Sequence, residues 1–311
     1  MVSQHEAPIP VTVVGGYLGA GKTTLVNNLL RAAAGRRLAV LVNEFGALPI
    51  DADLIEAQDD RMIAITGGCI CCSYGSDLVA ALIDMGRRTP KPDQILVETS
   101  GVALPGGVAS ALSIVAGLRL DAVLVLADAE TVRERAEDRY TADTITRQLA
   151  DADIVVLNKT DLLSNEARAE RLAWMQTVAP QARILPTSQA RVPADVLLLD
   201  GPGPVRGTVA ATHAHHHVHD AGLHASEAFA IVDTVDADRL ARELIDRVAG
   251  LVRAKGFVAT RAGPVALQIV GRRPVIEPAP ETIGTKGRLV VICVGSPVDR
   301  ATVEAAIAAA R

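Results

Sequence analysis

The 311 residues predict an α/β domain with a mostly parallel sheet flanked by helices, followed by a smaller carboxy-terminal α+β domain. Three observations carry this. From Pro10 to about Pro193 short β-rich runs alternate with helical stretches, the pattern of crossover units. Several of those runs are almost continuously apolar, as strands covered on both faces are. A stretch from Asp200 to His224 then loses all periodicity before a second pattern begins.

The first domain, over 8–199, is expected to hold strands at Val11–Val14, Leu38–Asn43, Met62–Thr66, Gln94–Thr99, Ala122–Asp128, Ile154–Asn158 and Ala182–Pro186. Helices are expected at Lys22–Ala34 (closed by Gly35), Asp77–Arg88, Thr131–Ala150 in one or two pieces, and Glu166–Val178. Residues 200–225 read as an exposed linker. The second domain, over 226–311, should contain a strand at Ala228–Asp233 and a helix at Asp238–Lys255. Leu240, Leu244, Ile245, Val248, Leu251 and Val252 share a stripe of that helix. Strands at Phe257–Thr260, Val265–Val270 and Leu289–Val294 follow, the last carrying Cys293 as a core residue. A final helix is expected to open with Ser296 as cap and Pro297 in its first turn.

Composition narrows the function classes. Apolar residues at 49% and charged residues at 22% are globular. A net charge of -5 argues against a protein built around nucleic-acid phosphates, and 2% aromatic content against base-stacking platforms. The uncharged stretch Thr99–Leu118 contains Pro105, four glycines, three serines and a threonine, which a bilayer-spanning helix carries badly. Met1–Pro10 has no Lys or Arg and does not resemble a signal peptide. No membrane and a cytoplasmic location are therefore the expectations. There, four cysteines point to a metal or reactive-thiol site before a disulfide framework.

Gly16-Tyr17-Leu18-Gly19-Ala20-Gly21-Lys22-Thr23 is a complete G-x-x-x-x-G-K-[ST] match between a strand and a helix. The glycines let backbone N–H groups fold around phosphates and the helix adds its positive end. Lys22 should reach the β/γ-phosphates and the Thr23 hydroxyl should bind Mg2+. Gly19, Ala20, Gly21 and Thr24 complete the cradle. Asn158-Lys159-Thr160-Asp161 leaves a strand end as a base-reading loop should. Guanine presents two adjacent donors, N1–H and the N2 amine, and the Asp161 carboxylate can accept from both. Adenine has no such pair. Asn158 would contact the far edge of the base, the Lys159 stem would cover its face, and Ser188 in Thr187-Ser188-Gln189-Ala190 would serve the guanine oxygen. GTP is thus the expected nucleotide.

Glu98, at the tip of a very apolar run, is expected to help hold Mg2+ and order the attacking water. Gly101 would allow close approach to the γ-phosphate. Glu44 and Asp51 are switch-region candidates, with Asp51 grouped with Lys22 and Glu98 as catalytic. Asp128 is as well explained by capping a helix as by catalysis. Spacing nominates no arginine to stabilise transition-state charge, so slow intrinsic turnover is expected.

Cys69, Cys71 and Cys72 follow Gly67-Gly68, and soft thiolates at that spacing suit Zn2+, Co2+ or Cu(I) better than Mg2+. Three buried structural cysteines are the plainer alternative. His213, His215, His216, His217 and His219, with His224 beyond them, form an imidazole tract that is either a weak metal trap or an inert linker.

Taken together, G-G-Y-L-G-A-G-K-T-T at 15–24, V-N-E-F-G with Asp51 downstream, G-G-C-I-C-C at 67–72, V-E-T-S-G at 97–101 and N-K-T-D at 158–161 resemble the CobW family of P-loop GTPases. These are relatives of the urease and hydrogenase nickel-insertion GTPases. The histidine-rich linker and R-A-K-G at 253–256 extend the resemblance over nearly the whole chain. It implies a GTP-dependent metallochaperone or insertase that delivers zinc or cobalt to a metal-requiring client protein or the cobalamin pathway, with a homodimer left open. By the same resemblance, Cys71 and its neighbours form a metal site between the switch regions, so that GTP and metal are linked. Some relatives carry further carboxylates where this chain has Val42 and Ala47. A GTP-switched regulatory module with structural or redox-sensing thiols is the rival reading. A small-molecule kinase is disfavoured by N-K-T-D.

Overall fold

A computed structural model describes residues 8–33, 35–43, 62–67, 76–198, 224–279 and 287–311. Glu44, Asp51, Cys69, Cys71, Cys72 and His213 to His219 lie outside the described residues. The chain divides into two compact units, Met1–Leu198 and Leu199–Arg311.

The first unit is built on a seven-stranded sheet in the order β3-β2-β4-β1-β5-β6-β7, every neighbouring pair parallel. In chain order the elements are β1 (Ile9–Gly16), α1 (Lys22–Arg31), β2 (Leu38–Asn43), β3 (Met62–Gly67), α2 (Ser76–Arg87) and β4 (Gln94–Glu98). Then come α3 (Pro105–Leu112), β5 (Leu118–Asp128), α4 (Val132–Glu137), α5 (Ala142–Ala150), β6 (Ile154–Asn158), α6 (Asn165–Val178), β7 (Arg183–Pro186) and α7 (Ala194–Leu197). Each residue of β4 and β6 is buried, which is why those runs are apolar without alternation. Helices fill both faces, and Val11, Val13, Leu41, Leu82, Ile95, Val123 and Val155 belong to one continuous core. A buried polar pair crosses that sheet. Gln94 Nε2 donates to Thr12 Oγ1 at 2.8 Å and to the Leu197 carbonyl at 3.0 Å, tying α7 to the strands.

The second unit is an antiparallel sheet in the order β11-β10-β9-β12-β8, with two helices closing its core. Its elements are β8 (His224–Ile231), α8 (Ala237–Arg247), β9 (Leu251–Thr260), β10 (Gly263–Val270), β11 (Arg273–Pro278), β12 (Gly287–Val294) and α9 (Arg300–Ala309). Cys293 is fully buried in this core, as expected.

Several expected boundaries are corrected. The helix expected over 238–255 stops at Arg247, because Gly250 takes a left-handed φ of 69° and the chain turns into β9. Leu251 and Val252 extended the helical stripe by coincidence: a short apolar run fits periods of 2 and 3.6 equally. The last helix is capped by Asp299, not Ser296. The Asp299 carboxylate accepts from the amides of Ala301 and Thr302, and the Thr302 hydroxyl bond holds its pKa below the ordinary value. The first helix ends at Arg31, before Ala34, and β5 starts at Leu118, four residues ahead of Ala122. Unforeseen elements are α3, which begins with Pro105 at its first position, α7, and the edge strand β11. His224 belongs to β8, paired with Val294, and not to the linker.

Gly256, the last residue of R-A-K-G, has a packing reason. A Cβ there would stand 1.9 Å from the Arg288 carbonyl oxygen and 2.7 Å from Leu289 Cα, both backbone atoms that cannot yield cheaply. Gly256→Ala should destabilise the second unit by about 1–3 kcal/mol. Urea unfolding checks this, through an earlier midpoint for that unit and an unmoved one for the first.

Candidate functional site

The carboxyl ends of β1, β4, β5 and β6 converge on one edge of the parallel sheet, where ligands of such sheets bind. The loop from Gly16 to Gly21 crosses this edge. Gly16, Gly19 and Gly21 adopt left-handed φ values of 128°, 75° and 105°. At Gly21 a Cβ would lie 2.5 Å from Asn158 Nδ2. Gly21 is also the N-cap of α1, with no side-chain cap and no acidic residue in the first turn. No side chain of the N-cap thus competes with an anion for the amides of that turn. Lys22 is buried, and its ammonium donates to the Tyr17 carbonyl at 3.3 Å. Thr24 is exposed at the helix surface.

Thr23 and Glu98 are brought together across 75 residues. β1 and β4 are adjacent, with Val14 in register with Glu98, and the Thr23 hydroxyl donates to Glu98 Oε1 at 2.9 Å. Glu98 is 2% exposed. A hydroxyl beside a buried carboxylate is a hard-oxygen pair, the donor set that suits Mg2+ and not a thiophilic metal. Gly101 has a use that was not foreseen. A Cβ on it would fall 2.5 Å from Leu18 Cδ2 and 2.9 Å from the Leu18 amide, so its bareness admits the phosphate loop itself. Gln148, 1% exposed on α5, fixes the same turn by donating to the carbonyls of Gly101 at 3.1 Å and Ala103 at 2.8 Å.

At the other end of the loop, Asn158 is buried and both ends of its amide are engaged. Its Nδ2 donates to the Ala20 carbonyl at 2.9 Å, and its Oδ1 accepts from the Ala190 amide at 2.8 Å. The residue expected to face the base thus also ties the phosphate loop to the segment after β7. That segment is strained: Gln189 and Ala190 both sit at φ 51° without being glycine. Asn28 on α1 holds it from below, donating to the carbonyls of Gln189 at 2.9 Å and Ala190 at 3.1 Å. Sequence reading missed Asn28, since nothing in a helical position four residues past a P-loop threonine signals a partner 161 residues away. Ser188 lies half-buried in this strained segment.

Lys159 is likewise left-handed at φ 62°, and starts the 3-10 turn Thr160–Leu162 that leaves Asp161 exposed. Its ammonium pairs with Asp128 Oδ2 at 2.7 Å. Asp128 caps no helix, since the residue before α4 is Thr131. It spans from Lys159 to the Glu130 amide instead.

Among the described residues no three His, Cys, Asp or Glu side chains converge as a metal site. No described helix is long and apolar enough to cross a membrane.

Comparison with known proteins places this geometry. Residues 10–186 match the model of the CobW/HypB/UreG nucleotide-binding domain, and residues 225–311 that of the cobalamin synthesis protein cobW C-terminal domain. Over 98% of both chains, the protein is 32% identical to the zinc chaperone CobW of a Sinorhizobium species. It is 32% identical to the zinc chaperone CobW of Pseudomonas aeruginosa, over 85% of this chain and 80% of that one. Zinc chaperone YjiA of Escherichia coli is 36% identical over 56% of each. A nucleotide-binding domain over residues 10–186 and a cobW carboxy-terminal domain over 225–311 make this chain a member of the CobW family.

Proposed function

We propose that the protein is a GTP-driven zinc metallochaperone that holds its cargo at Cys69, Cys71 and Cys72 and passes it to a metal-requiring client protein. The chain is a GTPase, converting GTP to GDP and phosphate. The observation that carries the proposal is the likeness to a zinc chaperone along 98% of both chains, so that nucleotide domain and carboxy-terminal domain are matched together.

In this reading the guanine lies between Lys159 and the 187–190 segment, with Asp161 accepting from N1–H and the N2 amine. Gly19, Ala20, Gly21, Lys22, Thr23 and Thr24 surround the phosphates, and Gly101 closes the far side. Thr23 and Glu98 would hold Mg2+, which when bound supplies positive charge against the phosphate oxygens. Lys22 and the loop amides stabilise the charge that builds up during transfer, and water is held in line by Glu98 or Asp51. The thiols and the histidine tract lie outside the described residues, so their roles rest on sequence. Soft thiolates favour zinc over cobalt in a tetrahedral site, while the imidazole tract would gather the ion loosely. Coupling follows if metal and GTP both favour one arrangement of the loops between them, because each ligand then tightens the other by the same factor.

Titrating Zn2+ into protein loaded with a non-hydrolysable GTP analogue or with GDP tests the coupling. At least tenfold tighter zinc with the analogue is expected, and equal affinity would exclude a switch. Replacing the three thiols by serine should abolish the tight site and leave GTP affinity in the absence of metal within about threefold. Asp161→Asn removes an acceptor from both guanine donors but offers an N–H to the 2-oxo group of xanthine. GTP affinity should fall at least about 100-fold while xanthosine triphosphate gains, read by competition binding.

A further inference from the structure

We propose that Arg135 is a positioning residue for GTP hydrolysis, acting on the phosphate through a single peptide unit of the loop; this rests on the GTPase reading above. Tyr17-Leu18-Gly19-Ala20 is a β-turn, closed by the Ala20 amide donating to the Tyr17 carbonyl at 3.2 Å. Gly19, its third residue, has φ 75°, whereas Leu18 is not among the residues with positive φ. That combination defines a type II turn. Type I and type II turns differ by the flip of their central peptide, here the one joining the Leu18 carbonyl to the Gly19 amide. Because a trans peptide is planar, its C=O and N–H point in opposite directions. Whichever side holds the Leu18 oxygen therefore decides where the Gly19 N–H is aimed.

Arg135 holds that oxygen. Its Nη1 donates to the Leu18 carbonyl at 3.3 Å, and its guanidinium lies 4.8 Å over the ring of Tyr17. The arginine thus clasps both residues that open the turn. Its own backbone is anchored: the Thr141 hydroxyl donates to the Arg135 carbonyl at 2.6 Å, and Arg133 on the same short helix pairs with Glu170 of α6. A cationic donor on the carbonyl does two things. It locks the flip that points the Gly19 N–H away from the helix and into the phosphate cradle. It also polarises the shared peptide, which makes that N–H a stronger donor. The benefit grows as negative charge develops on the oxygens between the transferring and departing phosphates, so the effect falls on the rate more than on ground-state binding.

The test uses the full chain in single-turnover GTP hydrolysis, GDP binding, and the backbone amide resonance of Gly19 in the nucleotide-free protein. For Arg135→Ala the expected result is a rate loss of about tenfold, GDP affinity within about threefold of wild type, and an upfield shift of the Gly19 amide proton. Arg135→Lys, which keeps a cationic donor, should restore most of the rate. Gly19→Ala is the second variant. A Cβ there meets no protein atom within 4 Å, so within the protein itself its effect is to disfavour the left-handed φ of the type II turn. It should reproduce the rate loss with Arg135 intact. An Arg135→Ala protein that hydrolyses GTP at the wild-type rate overturns the proposal. So does one whose loss is matched in GDP affinity and thermal stability, since that is a structural role alone. Wild-type protein that turns over no GTP would instead sink the GTPase reading itself.

Discussion

One buried amide holds the site in register. Asn158 reaches from the end of β6 to the phosphate loop on one side and to the segment after β7 on the other, and neither attachment is optional. Loops at a sheet edge have no ladder of their own, so their relative placement must come from side chains that bridge them. Here the bridge is 3% exposed, where a broken hydrogen bond is not replaced by water and leaves two backbone groups unpaired. The left-handed backbone at Lys159, Gln189 and Ala190 persists against that constraint. Asn28 supports the same strained turn from α1, so the helix that starts at the phosphates also braces the base-reading loop.

The parallel sheet was legible because its central strands are buried on both faces, and burial of that kind writes itself as uninterrupted apolar sequence. β2 and β6 carry the expected limits, Leu38–Asn43 and Ile154–Asn158. Legibility failed where two periods fit the same residues. Leu251 and Val252 continue a helical stripe and also begin a strand, and only the left-handed Gly250 separates them. Edge strand β11 escaped notice for a related reason: Arg273, Pro274 and Glu277 give it no apolar signature, since among the described residues one side meets no neighbouring strand.

Within the site, motifs located the residues but not their partners. The Thr23 and Glu98 positions follow from local patterns, and parallel register then sets them side by side. Arg135, Gln148 and Asn28 belong to no short motif. Each acts on a loop that is distant in sequence, and only the crossover topology brings them there. Gly101 stands out in its local pattern, and the fold adds a packing reason for its bareness that the pattern does not carry, the close approach of Leu18.

The bond between Thr23 and Glu98 has a further effect on how a cation could enter. A hydroxyl gives away one proton and keeps two lone pairs, so Thr23 can point its hydrogen at the carboxylate while its oxygen stays able to ligate. Arrival of a hard ion then needs no dismantling of the pair. The rotamers are already chosen, the entropy of choosing them was lost when the sheet formed, and the fold itself has done the orienting that a flexible pair of ligands would have had to do on capture.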